Sequence, residues 1–542
     1  MKQARLTSGI LKGYADKIQN HLVNNVDCEK HARTYIDFVG DQYAEPEFTG
    51  KYVDLNMKIY RATKNEKALE NAAYVVSSII NNMRDDGFCG CLEAGKEAKF
   101  FAVWNQMFTI MGLLSYYRET KDAKVLAAAE KCANYIIDCF ADGKNDILNA
   151  VNYKTQHITI FYAICDLYEL TGKKEYQDFM FYIIDRIKNS DINFFEFDNI
   201  MDLWSKKGIE NFVILLSMLK YYKLFGDKKA FDAAKKYWQQ VNDTQIRNTG
   251  NGTINEFWTE NGNQAMLLSE SQRPNENCVA VGWIELSLAL FYLEQDKKYL
   301  DAIDKTMYNH ILGAIAEDGT DFAYYQPNYG KKVRTINCIY QCCRYRGFTI
   351  FTYMDEMLYF EDKENIIPML YTDSEYITEE IEIVQESNYP FDNVVSFFVK
   401  TKDDFQKTLK LRIPEKRVLK NVTINGENSS CEVVDGYVEF KPGCNQEIKI
   451  ELIFDCDLFY EFGMIDDQEH VAISFGNVLL AMEDINQNIS LKKENLYLRC
   501  DVAKDSFLKY SGCGYQNGEE INVKFTDYAS ADNYRIWIPI NK

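Results

Sequence analysis

The stretch QHITIFYAICDLYELTGK, Gln156–Lys173, decides the fold. Its apolar residues Ile158, Phe161, Tyr162, Cys165 and Tyr168 recur at steps of three and four, the spacing of one buried helix face. The stretch ends on Leu170-Thr171-Gly172-Lys173, a short charged turn, after which a second helix begins. The same punctuation recurs at Ala62-Thr63-Lys64-Asn65-Glu66, Glu119-Thr120-Lys121-Asp122, Leu224-Phe225-Gly226-Asp227, Glu294-Gln295-Asp296 and, less regularly, Phe360-Glu361-Asp362. A repeat of this kind, at intervals of about 50 to 70 residues, leaves room for one helical hairpin per unit. Six hairpins in succession predict an (α/α)6 toroid over residues 1–368.

Past residue 368 the texture changes. Short alternating or apolar runs such as Val394 to Val399, Leu409 to Ile413, Tyr437 to Phe440 and Ile448 to Ile453 predict strands. Asn425-Gly426 reads as a hairpin turn, since both residues tolerate positive φ. Pro414 and Pro442 stand at run ends, where a missing N–H does no harm. Residues 369–542 are therefore expected to form one or two β-sandwich-like modules, and the chain as a whole an α+β multidomain protein.

Inside the helical region, Glu276-Asn277-Cys278 and the adjacent pair Cys342-Cys343 supply three thiols and a carboxylate from two short segments. Thiolate sulfur and carboxylate oxygen suit four-coordinate Zn²⁺, so these four are a candidate zinc site.

Composition limits what such a site serves. A length of 542 residues with 46% hydrophobic content supports more than one core, and a net charge of -20 argues against nucleic acid or an anionic membrane as partner. Met1 to Leu6 is not followed by an apolar signal segment, and no uninterrupted apolar run approaches 18 residues. A cytoplasmic location is expected, and fifteen cysteines then read as reduced thiols rather than a disulfide framework.

The chain resembles glycoside hydrolase family 127, the β-L-arabinofuranosidase-like enzymes. The resemblance rests on Glu276-Asn277-Cys278-Val279-Ala280, Asp301 to Asn309 (DAIDKTMYN), Asp318-Gly319-Thr320-Asp321-Phe322-Ala323-Tyr324-Tyr325-Gln326-Pro327 and Gln341-Cys342-Cys343. Weaker echoes are Leu411-Arg412-Ile413-Pro414 and Ser474 to Ala481. It implies the same toroid followed by β-sandwiches. It further implies Zn²⁺ held by Glu276, Cys278, Cys342 and Cys343, with Cys342 as the nucleophile of a retaining glycosidase. A metal-bound sulfur is deprotonated at neutral pH and attacks without a general base.

A retaining mechanism also needs an acid that later activates water. By resemblance this is a glutamate shortly before the zinc ligands: Glu256 in Asn255-Glu256-Phe257-Trp258, with Glu260 in reserve. The resemblance also places sugar contacts on Tyr324 and on His157, and Trp104 could stack on a ring face. The chain departs from the family where many members carry a further substrate histidine in the second hairpin: here it reads Trp104-Asn105-Gln106-Met107-Phe108, and the fourth hairpin offers Ser205-Lys206-Lys207-Gly208. The expected substrate is a small glycoside, a β-L-arabinofuranoside or a related sugar, and pairing of two copies through the β modules is a further expectation. Two other readings stay open at this level: a sugar-binding or assembly protein that kept fold and metal without turnover, and a toroidal enzyme of different sugar chemistry.

Overall fold

The computed structural model describes residues 3–36, 45–90, 102–143, 145–148, 154–260, 268–336, 341–403, 405–465, 467–483, 488–504 and 507–541. Its first part is a double ring of twelve helices: α1 Gly9–Asn24, α2 Glu45–Thr63, α3 Glu66–Asn81, α4 Ala102–Thr120, α5 Ala123–Phe140, α6 Phe161–Thr171, α7 Lys174–Lys188, α8 Gly208–Phe225, α9 Lys228–Thr244, α10 Asn277–Glu294, α11 Lys297–Lys305 and α12 Cys342–Thr352. The even-numbered helices form the inner ring, each packed on the next, and α12 closes it against α2. The odd-numbered helices stand behind them, with α1 behind α12.

The inner helices are apolar on nearly every side because they face both the ring interior and the outer helices. In α10, for instance, thirteen of eighteen residues are buried. That helix is long and apolar enough to cross a membrane by length and composition alone, with a mean hydropathy of 1.3. Here it belongs to the toroid's inner wall.

Five of the six charged turns read from the sequence are two-residue links of one design. The inner helix ends on a left-handed residue: Lys64 (φ 55°), Lys121 (57°), Gly172 (64°), Gly226 (72°) or Gln295 (56°). The next residue caps the outer helix, and Asn65, Asp122, Asp227 and Asp296 each accept a backbone N–H two residues on. The turn expected at Phe360-Glu361-Asp362 is different. Tyr359–Glu361 and Asn365–Pro368 pair as antiparallel strands, and Asp362 holds their connection by accepting from Glu364 and Asn365 N–H. The aromatic and β-branched residues on both sides favour strand over helix, so the sixth hairpin is completed by α1, from the other end of the chain. Glycine sets the spacing between α2 and α4. A Cβ on Gly50 would stand 2.2 Å from the Phe108 carbonyl oxygen, and one on Gly112 2.7 Å from that of Gly50.

The β region holds two modules. The first faces a seven-stranded sheet against a five-stranded one, and the N-terminal strand Gln3–Leu6 forms the edge of the larger, beside Ser374–Ile377. Asn425 (φ 52°) and Gly426 (φ 84°) make the hairpin turn that follows Val418–Ile424. The second module, from Leu458 onward, supplies nine strands of a ten-stranded sheet whose path closes where Gln468–Phe475 pairs with Val478–Met482. Its interior is a separate apolar core including Ile473, Leu480, Leu508 and Phe525, whereas the toroid and the first module share one continuous core.

The motif Asp301 to Asn309 ties these parts together. Arg412, fully buried, donates to Asp301 Oδ1 and Asp304 Oδ2 at 2.6 Å each, and Tyr389 Oη donates to Asp304 at 2.8 Å. Asn309, on the π-helical turn Thr306–Ile311 that follows α11, donates to the Asn477 carbonyl and accepts from Leu479 N–H. The toroid loop after Pro327 adds the strand Tyr329–Lys331 to the second module's sheet, opposite Asn533–Arg535.

Candidate active site

The N-terminal ends of the inner helices converge on a cavity of about 150 Å³. Glu47 and Lys51 reach it from α2, Trp104 and Phe108 from α4, Lys207 and Glu210 from the start of α8, Cys278 from α10, and Cys342 and Arg346 from α12. Helix N-termini carry unpaired N–H groups and partial positive charge, so the ring gathers fields that favour anionic groups at this mouth.

The four sequence-predicted ligands lie together. Cys278, Cys342 and Cys343 place their sulfurs within 4.8 Å of one another, with 3.1 Å between the Cys343 and Cys278 sulfurs. Cys343 Sγ is 3.7 Å from Glu276 Oε1. Glu276 stands at the N-cap of α10, its N–H donating to Thr253 Oγ1 and its carbonyl accepting from Asn251 Nδ2. Asn277 Nδ2 donates to the Cys343 carbonyl at 2.9 Å and so ties the two ligand segments to each other.

A divalent ion fits this set on two grounds. Glu276 Oε2 is buried with no hydrogen-bond partner among the described residues, an arrangement that is costly for a carboxylate. In tetrahedral zinc sites, with Zn–S near 2.3 Å, sulfurs sit about 3.8 Å apart, and the three sulfurs here lie within 4.8 Å of one another.

Cys342 differs from the other thiols. It is partly exposed to the cavity, whereas Cys278 and Cys343 are buried. Its thiol is held well below the ordinary range by hydrogen bonds from Cys278 and Cys343, by the Lys51 charge and by the Tyr324 hydroxyl. Burial instead pushes Cys278, Cys343 and Glu276 upward. Cys342 and Cys343 also open helix α12, where a thiolate gains from the helix dipole.

Glu256 faces Cys342 through one hydroxyl. Tyr324 Oη is 2.8 Å from Glu256 Oε1 and 3.5 Å from Cys342 Sγ. Tyr325 Oη donates to the same Glu256 oxygen at 3.1 Å, and Lys207 Nζ pairs with Oε2 at 3.0 Å. The backbone pays for this aim with two consecutive left-handed residues, Asn255 (φ 49°) and Glu256 (φ 77°). Gly208 N–H donates to the Glu256 carbonyl and Trp258 N–H to that of Lys206, fastening the segment to the start of α8. Glu260 is exposed and does not line the cavity.

Trp104 lines the cavity, edge-on to Phe108 at 5.2 Å, and its indole donates to Glu47. His157 is fully buried beside Phe140, and its neighbour Gln156 is the residue on the cavity wall. Five charged groups on the wall have no role in the sequence reading: the buried pair Glu47 and Lys51, Lys207, Arg346, and Glu210, which accepts from Thr155 Oγ1 at 2.5 Å and whose carboxyl is raised by burial. A signal was available for each, because all five fall in the first two turns of an inner helix or on its N-cap. The two residues after the cysteines have structural partners: Arg344 grips Asp321 with bonds of 2.6 and 2.8 Å, and Tyr345 Oη meets His31 Nε2 at 2.9 Å.

A closed ring of six helical hairpins, with a thiol and carboxylate cluster at the mouth formed by the inner-helix N-termini, defines a toroidal enzyme built around a candidate metal centre. The chain belongs to glycoside hydrolase family 127. Residues 2–356 match the model of the β-L-arabinofuranosidase GH127 catalytic domain, and residues 365–456 that of the GH127 middle domain. Over 432 residues the chain is 21% identical to a non-reducing end β-L-arabinofuranosidase of Bifidobacterium longum subsp. longum, covering 70% of this chain and 64% of that protein. It thus spans somewhat less than two thirds of that curated relative's length. The crystal structure of Ara127N, a GH127 β-L-arabinofuranosidase from Geobacillus stearothermophilus T6, superposes with a TM-score of 0.82 at 18% identity, over 99% of this chain and 100% of the other. A second solved GH127 β-arabinofuranosidase gives 0.81 at 18% identity, over 99% and 97%. These likenesses bear out the toroid-plus-sandwich fold.

Proposed function

We propose that the protein is a retaining glycosidase that releases a single terminal sugar from a β-L-arabinofuranoside or a closely related glycoside. The observation that carries this reading is the line Cys342, Tyr324, Glu256: a nucleophile and a proton donor facing one cavity and joined by one hydroxyl. The substrate class rests on the names borne by the relatives, and single-unit release on the small size of the cavity.

Glu276, Cys278, Cys342 and Cys343 would hold the metal, Zn²⁺ by donor chemistry. When bound, it supplies positive charge that keeps the thiols ionised. In the first step Cys342 Sγ attacks the anomeric carbon as the glycosidic C–O bond breaks, and Glu256 gives its proton to the departing oxygen. In the second, Glu256 takes a proton from water, the water oxygen bonds to the anomeric carbon, and the C–S electron pair returns to Cys342. Two displacements restore the starting configuration. Lys207, Tyr324 and Tyr325 keep the Glu256 carboxyl aimed throughout, and Trp104 offers a ring face to the sugar.

Aryl furanosides and pyranosides assayed with wild-type, Cys342→Ala and Glu256→Gln proteins test the proposal, with the anomer first released followed by NMR. Turnover of a β-L-arabinofuranoside with retention, lost in both variants, is expected. Turnover unaffected by either substitution would remove the mechanism, and activity on pyranosides alone would remove the substrate.

A further inference from the structure

The toroid has a second mouth, at the C-terminal ends of its inner helices, and the proposed chemistry makes no use of it. A cavity of about 480 Å³ opens there, larger than the one at the catalytic end. A narrow cavity of about 70 Å³ lies between the two along the ring axis. It shares Lys51 and Arg346 with the catalytic side and Asp54, Lys58 and Glu285 with the far side.

The far cavity is rich in charge, and most of its charges are paired. Asp166, 4% exposed, is held between Lys220 and Arg118, the latter at 3.2 Å. Lys58 pairs with Asp54 at 2.7 Å, Arg61 with Glu356 at 2.7 Å, and Arg346 with Glu285 at 3.1 Å. Such a wall offers no net field for an anion, and it is too polar for an apolar guest. It does present carboxylate oxygens with spare lone pairs beside ammonium and guanidinium N–H groups, a surface that a polyhydroxylated neutral molecule satisfies because each hydroxyl both donates and accepts.

Two further observations point to a ligand. Tyr353, 5% exposed and on the cavity wall, has a buried hydroxyl with no hydrogen-bond partner among the described residues. Buried hydroxyls are ordinarily paired. Tyr292 stands at the same mouth with 39% of its surface exposed, so its ring is available to the C–H face of a sugar, while its hydroxyl is fixed on the Glu356 carbonyl at 2.9 Å.

We propose that this far mouth is a second carbohydrate site, one that takes a neutral mono- or disaccharide and is separate from the catalytic cavity. A volume of 480 Å³ is within the range of small-molecule sites. The site does not depend on the catalytic reading, since it requires binding and no turnover.

Calorimetric titration of the full-length protein with L-arabinose and D-galactose, with sodium sulfate as competitor, tests this. Wild-type protein is expected to show two saturable classes for at least one of the two sugars. Ala289→Trp, which fills the far cavity, should abolish one class and leave the other. Tyr353→Phe, which removes only the unpartnered hydroxyl, should weaken the same class about 5-fold, the loss of one hydrogen bond, and Tyr292→Ala should weaken it as well. None of these positions touches the catalytic cavity, so aryl-glycosidase activity and melting temperature serve as controls for folding. No saturable class in the wild type, a number of classes unchanged by Ala289→Trp, or displacement of the sugar by sulfate at the class that Ala289→Trp removes would each overturn the proposal.

Discussion

Lys207 Nζ lies 3.0 Å from Glu256 Oε2, and the two residues belong to segments joined by backbone hydrogen bonds. The ammonium and the carboxylate are therefore fixed as a unit, and the remaining Glu256 oxygen is aimed by Tyr324 and Tyr325. Lys207→Met should lower kcat by about 10²-fold while changing KM little, because it loosens a group that acts in the transition state rather than one that binds substrate. Lys207→Arg should recover part of the loss. Steady-state kinetics on an aryl glycoside decide the matter, and a variant altered only in KM would show that Lys207 is a substrate contact instead.

Tyr324 stands between the two proposed catalytic groups and donates its one proton to Glu256, so Tyr324→Phe removes that bond together with the 3.5 Å contact to Cys342 Sγ. Bonds to charged partners are worth about 1.5 to 3 kcal/mol, which corresponds to roughly a 10- to 100-fold fall in kcat/KM. Tyr325→Phe removes one bond to Glu256 only and should cost less. Equal losses in the two variants would argue against the bridging role.

Arg412 satisfies two buried carboxylates at once. Arg412→Met leaves Asp304 without its cation and Asp301 with Lys297 alone, and should destabilise the protein by about 3 to 5 kcal/mol. The denaturation midpoint of the toroid measures this, with Arg412→Lys falling between. A midpoint unchanged by Arg412→Met would mean that the modules are held by their apolar contacts alone.

His31 and His310 are buried, and burial lowers each from 6.5 to about 3. The unfolded chain binds these protons near pH 6.5 and the folded chain only near pH 3. Their contribution to stability is therefore complete above pH 6.5 and is lost as pH falls from 6.5 towards 3. Between pH 6.5 and 5, where most carboxylates stay ionised, the unfolding free energy should drop more steeply for wild type than for His310→Gln, by up to one proton's worth of slope. Parallel slopes would show that His310 accepts its proton in the folded state.

Much of this was legible in the sequence, for identifiable reasons. The hairpins were visible because each link repeats the same short charged turn, in most cases with Asp or Asn as the cap of the next helix, as at Gly226-Asp227 and Gln295-Asp296. The sixth link was not, because the partner of α12 is α1 and helices more than 300 residues apart leave no local signal of pairing. The ligand cluster was legible because thiols and a carboxylate fall at short spacings. Lys207 was hidden because its role depends on a loop some 50 residues later folding back onto its helix. His157 shows the opposite case: a helix-start histidine looks like a ligand contact in sequence, but a one-residue rotation puts Gln156 on the wall and the imidazole in the core.

The central claim is that Cys342 sulfur bonds to sugar carbon during turnover. Mass-spectrometric mapping of enzyme quenched in acid during hydrolysis of a slow aryl β-L-arabinofuranoside tests it most directly. A pentosyl adduct on the peptide carrying Cys342 is the result predicted. An adduct on a carboxylate, Glu256 or Glu276, would contradict it.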